Sequence, residues 1–181
     1  MSVVAEVLEY NQEFVRTRQY QQFTASKVPA KGVAVLSCMD TRLTELLPAA
    51  MGFRNGHVQM IKNAGGLVSH PFGSVMRSLL IAICKFDVRT ILVIGHHDCG
   101  MQGLDPDDVT ERMLARGIDQ RTIETVTYGL ADFHSWLKGF SDARESVSET
   151  VRLIGHHPLV PGDVTVAGFL IDPETGALEP V

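Results

Sequence analysis

This chain has no apolar run approaching the ~20 residues of a membrane span, no cluster of basic residues, and only three cysteines in 181 residues. Its amino terminus, Met1-Ser2-Val3-Val4-Ala5-Glu6-Val7, also lacks a basic start followed by a long apolar core, so we expect a cytoplasmic protein that does not enter a membrane. The 16 Lys and Arg are scattered and the formal net charge of -5 is mild, so nucleic acid is not an expected partner either. A low, odd cysteine count argues against a disulfide framework and suits a reducing compartment. Gly-x-Gly-x-x-Gly and P-loop spacings are missing, which removes the usual nucleotide-binding signatures. With 45% hydrophobic and 20% charged residues, the chain can bury a sizeable core, and we expect one domain over residues 1–181.

What is present is an alternation of short apolar runs with helical patterns. Val4, Val7, Leu8, Phe14 and Val15 lie in a loosely helical opening segment, read as an exposed or partner-packing helical arm within residues 1–28. Val33-Ala34-Val35-Leu36 is a continuous apolar strand of the kind buried in parallel sheets, and Leu43, Leu46, Leu47, Ala50 and Met51 follow at helical spacing. Val58 to Ile61 reads as a second strand, ending in Lys62-Asn63-Ala64-Gly65-Gly66, where the glycines mark a tight loop. Pro71 is expected to start a long helix with Val75, Met76, Leu79, Leu80, Ile83 and Cys84 on its apolar face, making Cys84 a buried thiol. Ile91 to Gly95 is a third strand, and Val164 to Ile171 a fourth. Between them Met113, Leu114, Ile118, Ile123 and Val126 predict short helical pieces over the sheet, and Ser141 to Ile154 a further helix. After the turn at Asp172-Pro173-Glu174-Thr175-Gly176, Ala177-Leu178-Glu179-Pro180 returns as a short antiparallel edge strand. The class is α/β.

Chemistry concentrates where the first and third strands run out. Cys38-Met39-Asp40-Thr41-Arg42 follows one, and His96-His97-Asp98-Cys99 the other. If those strands are neighbours, two thiolates and an imidazole converge at one sheet edge, where α/β folds place their sites. A Cys2His set suits a zinc ion with a fourth position left for water, substrate or another side chain. A structural zinc knuckle would be expected to supply four protein ligands at short loop spacings, and this chain supplies three from distant strands. Asp40, two residues after Cys38, can accept a hydrogen bond from metal-bound water or take the fourth position itself, and Arg42 can hold that carboxylate with its paired donors. Neighbouring side chains on an extended segment point to opposite faces, so one of His96 and His97 joins Cys99. Both spacings are open on the residues alone. Asp98 is placed to orient Arg42 or a backbone amide, and Gly65 and Gly66 would let backbone N–H groups approach an anion. His97, His57 and His70 are candidates to carry a proton away. His156-His157 precedes Pro158 in a linker and fits surface or packing roles, while His134 and Trp136 are expected to pack over the sheet or on a partner.

Cys38-Met-Asp-Thr-Arg-Leu, Lys62-Asn-Ala-Gly-Gly and Gly95-His-His-Asp-Cys-Gly-Met101 resemble the three signature segments of the β-class carbonic anhydrases, in the right order. The similarity extends through Pro158-Leu-Val-Pro and Asp172-Pro-Glu-Thr-Gly-Ala-Leu, and is strongest to small prokaryotic members. The resemblance implies a four-stranded parallel sheet with an added antiparallel strand, and homodimers, or dimers of dimers, joined through the first helix and a sheet edge. It implies Zn2+ held by Cys38, His96 and Cys99, with Asp40 as a fourth ligand in a closed state, Asp40 with Arg42 as the catalytic dyad, and Asn63, Ala64, Gly65 and Gly66 on the substrate side. The implied reaction is reversible hydration of CO2 to bicarbonate and a proton by zinc-bound hydroxide. Relatives with the same zinc site hydrolyse carbon disulfide or carbonyl sulfide, and a non-catalytic zinc protein is the further alternative. Lys62 stands where the family usually has Arg, and His97 where it commonly has Ser or Thr.

Overall fold

The computed structural model describes residues 1–130 and 132–181. Five strands, β1 (Val33–Cys38), β2 (Val58–Asn63), β3 (Thr90–His96), β4 (Thr165–Ile171) and β5 (Leu178–Pro180), form one sheet in the order β2-β1-β3-β4-β5. β1 runs parallel to both β2 and β3, β3 runs parallel to β4, and β5 is antiparallel to β4. The α/β class, the four parallel strands and the antiparallel edge are therefore as expected. Among the described residues there are seven helices: α1 (Val3–Arg16), α2 (Leu43–Ala50), α3 (Ser74–Phe86), α4 (Pro106–Ala115), α5 (Gln120–Gly129), α6 (Phe133–Leu137) and α7 (Ala143–Gly155). No described helix is long and apolar enough to cross a membrane.

Alternation along the strands divides the core. Ala34 and Leu36 of β1, with Ile91 and Val93 of β3, pack with Met76 and Leu79 of α3 and Val147 and Ile154 of α7. Val35, Ile94 and Ile171 pack with Leu43 and Leu47 of α2. The chain leaves β1 for β2 on one side and returns to β3 on the other, so the strand order reverses between β1 and β3. Their carboxyl ends open onto the crevice where doubly wound folds bind ligands.

Three local expectations change. α3 starts at Ser74 rather than Pro71, after a turn closed by Gly73 N–H on the His70 carbonyl. Cys84 is exposed. The stripe of α3 buried in the core runs through Met76, Leu79, Ala82 and Ile83, and Cys84 lies about 100° further round the helix than Ile83. Trp136 is also exposed and neighbours the ring of Phe133, so the sheet does not cover it. His157 does pack: buried, it donates from Nε2 to the Pro71 carbonyl (2.8 Å) and accepts the Leu159 N–H at Nδ1 (3.2 Å).

Candidate metal centre

β1 ends at Cys38 and its parallel neighbour β3 ends at His96, with Cys99 one turn further on. Between these two ends sits the turn after β2. Asn63 closes it, donating from Nδ2 to the Leu67 carbonyl (2.8 Å) and accepting the Leu67 N–H (3.2 Å). Only glycine fits at position 66: φ is +65°, and a Cβ there would stand 2.7 Å from Cys38 N, 2.8 Å from the Ser37 carbonyl carbon and 3.2 Å from the Ile94 carbonyl oxygen. The turn is thus wedged against both ligand-bearing strands.

Cys38, His96 and Cys99 are buried, and their ligand atoms all lie within 4.8 Å of one another. Two sulfurs bound at ~2.3 Å in a tetrahedral zinc site stand roughly 3.8 Å apart, and Cys38 Sγ and Cys99 Sγ are separated by 3.8 Å. His96 Nδ1 lies 2.8 Å from the His97 carbonyl, which makes Nδ1 the protonated nitrogen and turns the lone pair of Nε2 inward. That Nε2 is the one buried side-chain nitrogen or oxygen without a hydrogen-bond partner among the described residues. A buried orphan acceptor is costly unless something binds it, and a metal ion between the two sulfurs would. The residues fit the group. His97 points away, its Nε2 3.7 Å from Glu179 Oε1, so of the two histidines it is His96 that joins the cysteines.

Charge at the cluster follows from close contact. The hydrogen bond from Cys99 pulls the Cys38 thiol far below its usual range, against the cost of burial, with help from His96 and the backbone N–H groups of Asp40 and Gly65. Cys99 keeps the shared proton and moves upward, through its bond to Cys38 and through burial, while the Met101 N–H opposes the rise. Burial works against protonation of His96, but Cys38 and the His97 carbonyl outweigh it and the net shift is upward. Of these backbone donors, the approach of the Gly65 N–H was expected from the sequence, whereas those of Asp40 and Met101 were not.

Asp40 and Arg42 form the expected pair. Arg42 gives its backbone N–H and Nε to Asp40 Oδ1 (2.9 and 3.0 Å) and Nη2 to Oδ2 (2.8 Å). The same guanidinium reaches across to the second motif, donating to Asp98 Oδ2 (3.0 Å) and the Asp98 carbonyl (2.9 Å). Asp98 adopts φ +53° to present that carbonyl, a conformation that aspartate tolerates better than most residues. Asp40 Oδ2 lies 3.8 Å from His96 Nε2, beside the point where the ligand atoms converge. A cavity of about 530 Å³ opens there, with Met39, Ala64, Met101 and Leu104 as its apolar wall. Of that wall only Ala64 was expected on the substrate side; Met39, Met101 and Leu104 were not, although Met101 and Leu104, three apart just after a ligand, carried the signal. Of the proton-transfer candidates, His57 precedes β2 at the opposite end of the sheet from Cys38, and His70 Nδ1 already accepts the Phe72 N–H.

A doubly wound α/β protein with a Cys2His ligand cluster at its topological switch point is the class that fold and site define. Within it, the chain belongs to the β-class carbonic anhydrase family: the family model described as "Carbonic anhydrase" matches residues 33–178. It is 49% identical over 179 residues to a Bacillus subtilis (strain 168) protein named "Putative carbonic anhydrase YtiB", covering 99% of this chain and 96% of that one. The crystal structure of β-carbonic anhydrase isoform I from Trichomonas vaginalis superposes with a TM-score of 0.90 at 30% identity, covering 99% of this chain and 97% of that one. A carbon disulfide hydrolase from Acidithiobacillus thiooxidans is 30% identical over 154 residues, 81% of this chain and 75% of that one.

Proposed function

We propose that this protein catalyses the reversible hydration of CO2 to bicarbonate and a proton, with Zn2+ held by Cys38, His96 and Cys99. The observation that carries this reading is the inward-facing, unpartnered Nε2 of His96 beside two sulfurs at tetrahedral spacing, next to an ordered carboxylate. Zinc in such a site supplies Lewis acidity, which lowers the pKa of water toward neutrality. The chain's residues do the rest. Asp40, kept ionised and oriented by Arg42, accepts a hydrogen bond from the attacking water and aims it at the carbon of CO2. Arg42 ties the Cys38 loop to the Cys99 loop through Asp98, so the carboxylate and the ligands keep one geometry. Met39, Ala64, Met101 and Leu104 exclude bulk water from one side and favour an uncharged substrate. If Asp40 leaves Arg42 it is near enough to act as a fourth ligand, which would close the site.

All three cysteines are free, which fits action in a reducing compartment such as the cytoplasm. A homodimer is the proposed assembly, supported by the uncovered apolar face of α1. Hydrolysis of carbon disulfide at the same residues is the second reading, favoured by the 30% identity to the Acidithiobacillus thiooxidans hydrolase. Stopped-flow CO2 hydration beside sulfide release from carbon disulfide, both on zinc-loaded protein, separates the two. CO2 hydration that needs stoichiometric zinc supports the first, sulfide release without CO2 hydration supports the second, and two background rates across pH 6 to 9 sink both.

A further inference from the structure

Besides the N–H of Asp40, two backbone donors reach the ligand sulfurs from places far apart in the chain: Gly65 N–H bonds Cys38, and Met101 N–H bonds Cys99. One residue touches both donors. Phe140 meets the first with its ring: a Cβ at residue 65 would stand 3.3 Å from Phe140 Cε1, so the ring edge lies directly against Gly65. It meets the second with its backbone, because Phe140 N–H donates to the Met101 carbonyl (3.2 Å) and its own carbonyl accepts the Gly103 N–H (2.8 Å). The half-buried side chain also packs against both core clusters, the second of which contains Cys38 and Cys99.

The residues beside Phe140 hold it at that spacing. Gly139 N–H donates to the Leu104 carbonyl (3.1 Å), and Gln102 Nε2 donates to the Ser141 carbonyl (3.2 Å). A Cβ at residue 139 would overlap the Met101 carbonyl oxygen and stand 2.8 Å from Leu104 Cβ and 2.9 Å from Leu104 N. These are mostly backbone atoms with little freedom to yield, so the requirement for glycine comes from close approach and not from φ. Only a bare backbone lets Phe140 lie this close to the loop that follows Cys99.

Two thiolates place two negative charges on one zinc ion, which leaves a bound water less acidic than neutral ligands would. An N–H aimed at each sulfur draws part of that charge away from the metal. Such a bond weakens steeply once the donor turns aside, so whatever fixes the donors tunes the ion. We propose, on the metal reading given above, that Phe140 is a positioning residue of the metal centre, holding the Gly65 N–H on Cys38 with its ring and the Met101 N–H on Cys99 with its backbone. Gly139 sets the distance at which it does both.

Two measurements test this: the sulfur-to-metal charge-transfer band of cobalt(II)-loaded protein, and the zinc Kd from competition with a chromophoric chelator. They are made on wild type, Phe140→Ala, Phe140→Leu and Gly139→Ala. Ile154→Ala is the control, since Ile154 is fully buried in the core and its helix leads to the opposite end of the sheet, where Thr165 pairs with Thr90. A donor that drifts from its sulfur raises the energy of the sulfur electrons, so Phe140→Ala should move the band to longer wavelength. Its zinc Kd should rise about tenfold, the low end of what loss of an outer partner costs. Phe140→Leu, which keeps apolar packing but withdraws the ring edge from Gly65, and Gly139→Ala should move both readings the same way. Ile154→Ala should lower Tm and leave band and Kd at their wild-type values. If Phe140→Ala and Gly139→Ala fail to fold, Phe140→Leu decides. Wild-type band and Kd in the deciding variant, or an equal change in Ile154→Ala, overturn the role of Phe140. A wild type that binds neither cobalt nor zinc overturns the metal reading and this proposal with it, whereas a metal-loaded wild type without CO2 hydration removes only the proposed reaction, and the band and Kd still decide.

Discussion

Asp40 is held by three hydrogen bonds from Arg42, and they bring its pKa down to about 2 from 3.8. The folded value lies below the unfolded one, so the stability contributed by the pair is complete above about pH 4 and is lost as pH falls through about 2. Arg42→Ala removes that contribution. The Tm gap between wild type and Arg42→Ala should therefore be flat from roughly pH 5 to 7 and should narrow below about pH 4; a gap that widens on acidification contradicts the assignment. Protonation of the cysteines and His96 is common to both proteins and cancels in the difference. At the ligands the expectation is more severe. Cys38→Ser should lose metal and reduce CO2 hydration by more than the 10- to 100-fold that loss of an outer hydrogen-bond partner costs. Metal content by mass spectrometry, read beside the rate, shows whether activity falls because metal is gone.

The turn after β2 is the element that locks the site to the sheet, because residue 66 touches the backbone of both β1 and β3. Gly66→Ala should destabilise the protein by roughly 3 kcal/mol, combining a strained φ with overpacking against backbone atoms. Gly155 at the end of α7 is the internal control. A Cβ there meets nothing within 4 Å, so Gly155→Ala should stabilise by about 0.5 kcal/mol through the unfolded chain. Urea unfolding midpoints distinguish the two signs, and a neutral Gly66→Ala would mean that the turn does not bear on the strand ends. The same elements show what a linear reading can reach. Strands buried on both faces announce themselves as continuous apolar runs, and ligands placed where those runs stop were legible for the same reason. Cys84 was misjudged because its neighbours in the apolar run masked the one-residue step out of the buried stripe. The need for glycine at position 139 was invisible, since it answers to the backbone of Met101 and Leu104, far back in the chain, rather than to any local turn.

At the scale of the whole molecule, α1 stands apart from the core. None of its 14 residues is buried, yet Val3, Val7 and Tyr10 are exposed on one face with Phe14 beside them. Helices of this length are marginal in water without packing, and the arm is tied back mainly through Phe14 against Phe23 and through Asn55 on the Phe23 carbonyl. An apolar face on a helix that needs support is consistent with cover from a second copy of the chain, as proposed for the assembly. Val7→Glu combined with Tyr10→Glu tests this without shortening the chain. Both positions are solvent-facing in the single chain, so a monomer would tolerate the change with little loss of stability, because nothing buried is touched. A dimer covering that face would have to bury two carboxylates on each arm, which is costly enough to split it. Sedimentation equilibrium should give wild type at twice the 19.8 kDa chain mass and the double variant near a single chain. Wild type sedimenting as one chain, or a double variant that remains paired, would remove α1 from the interface.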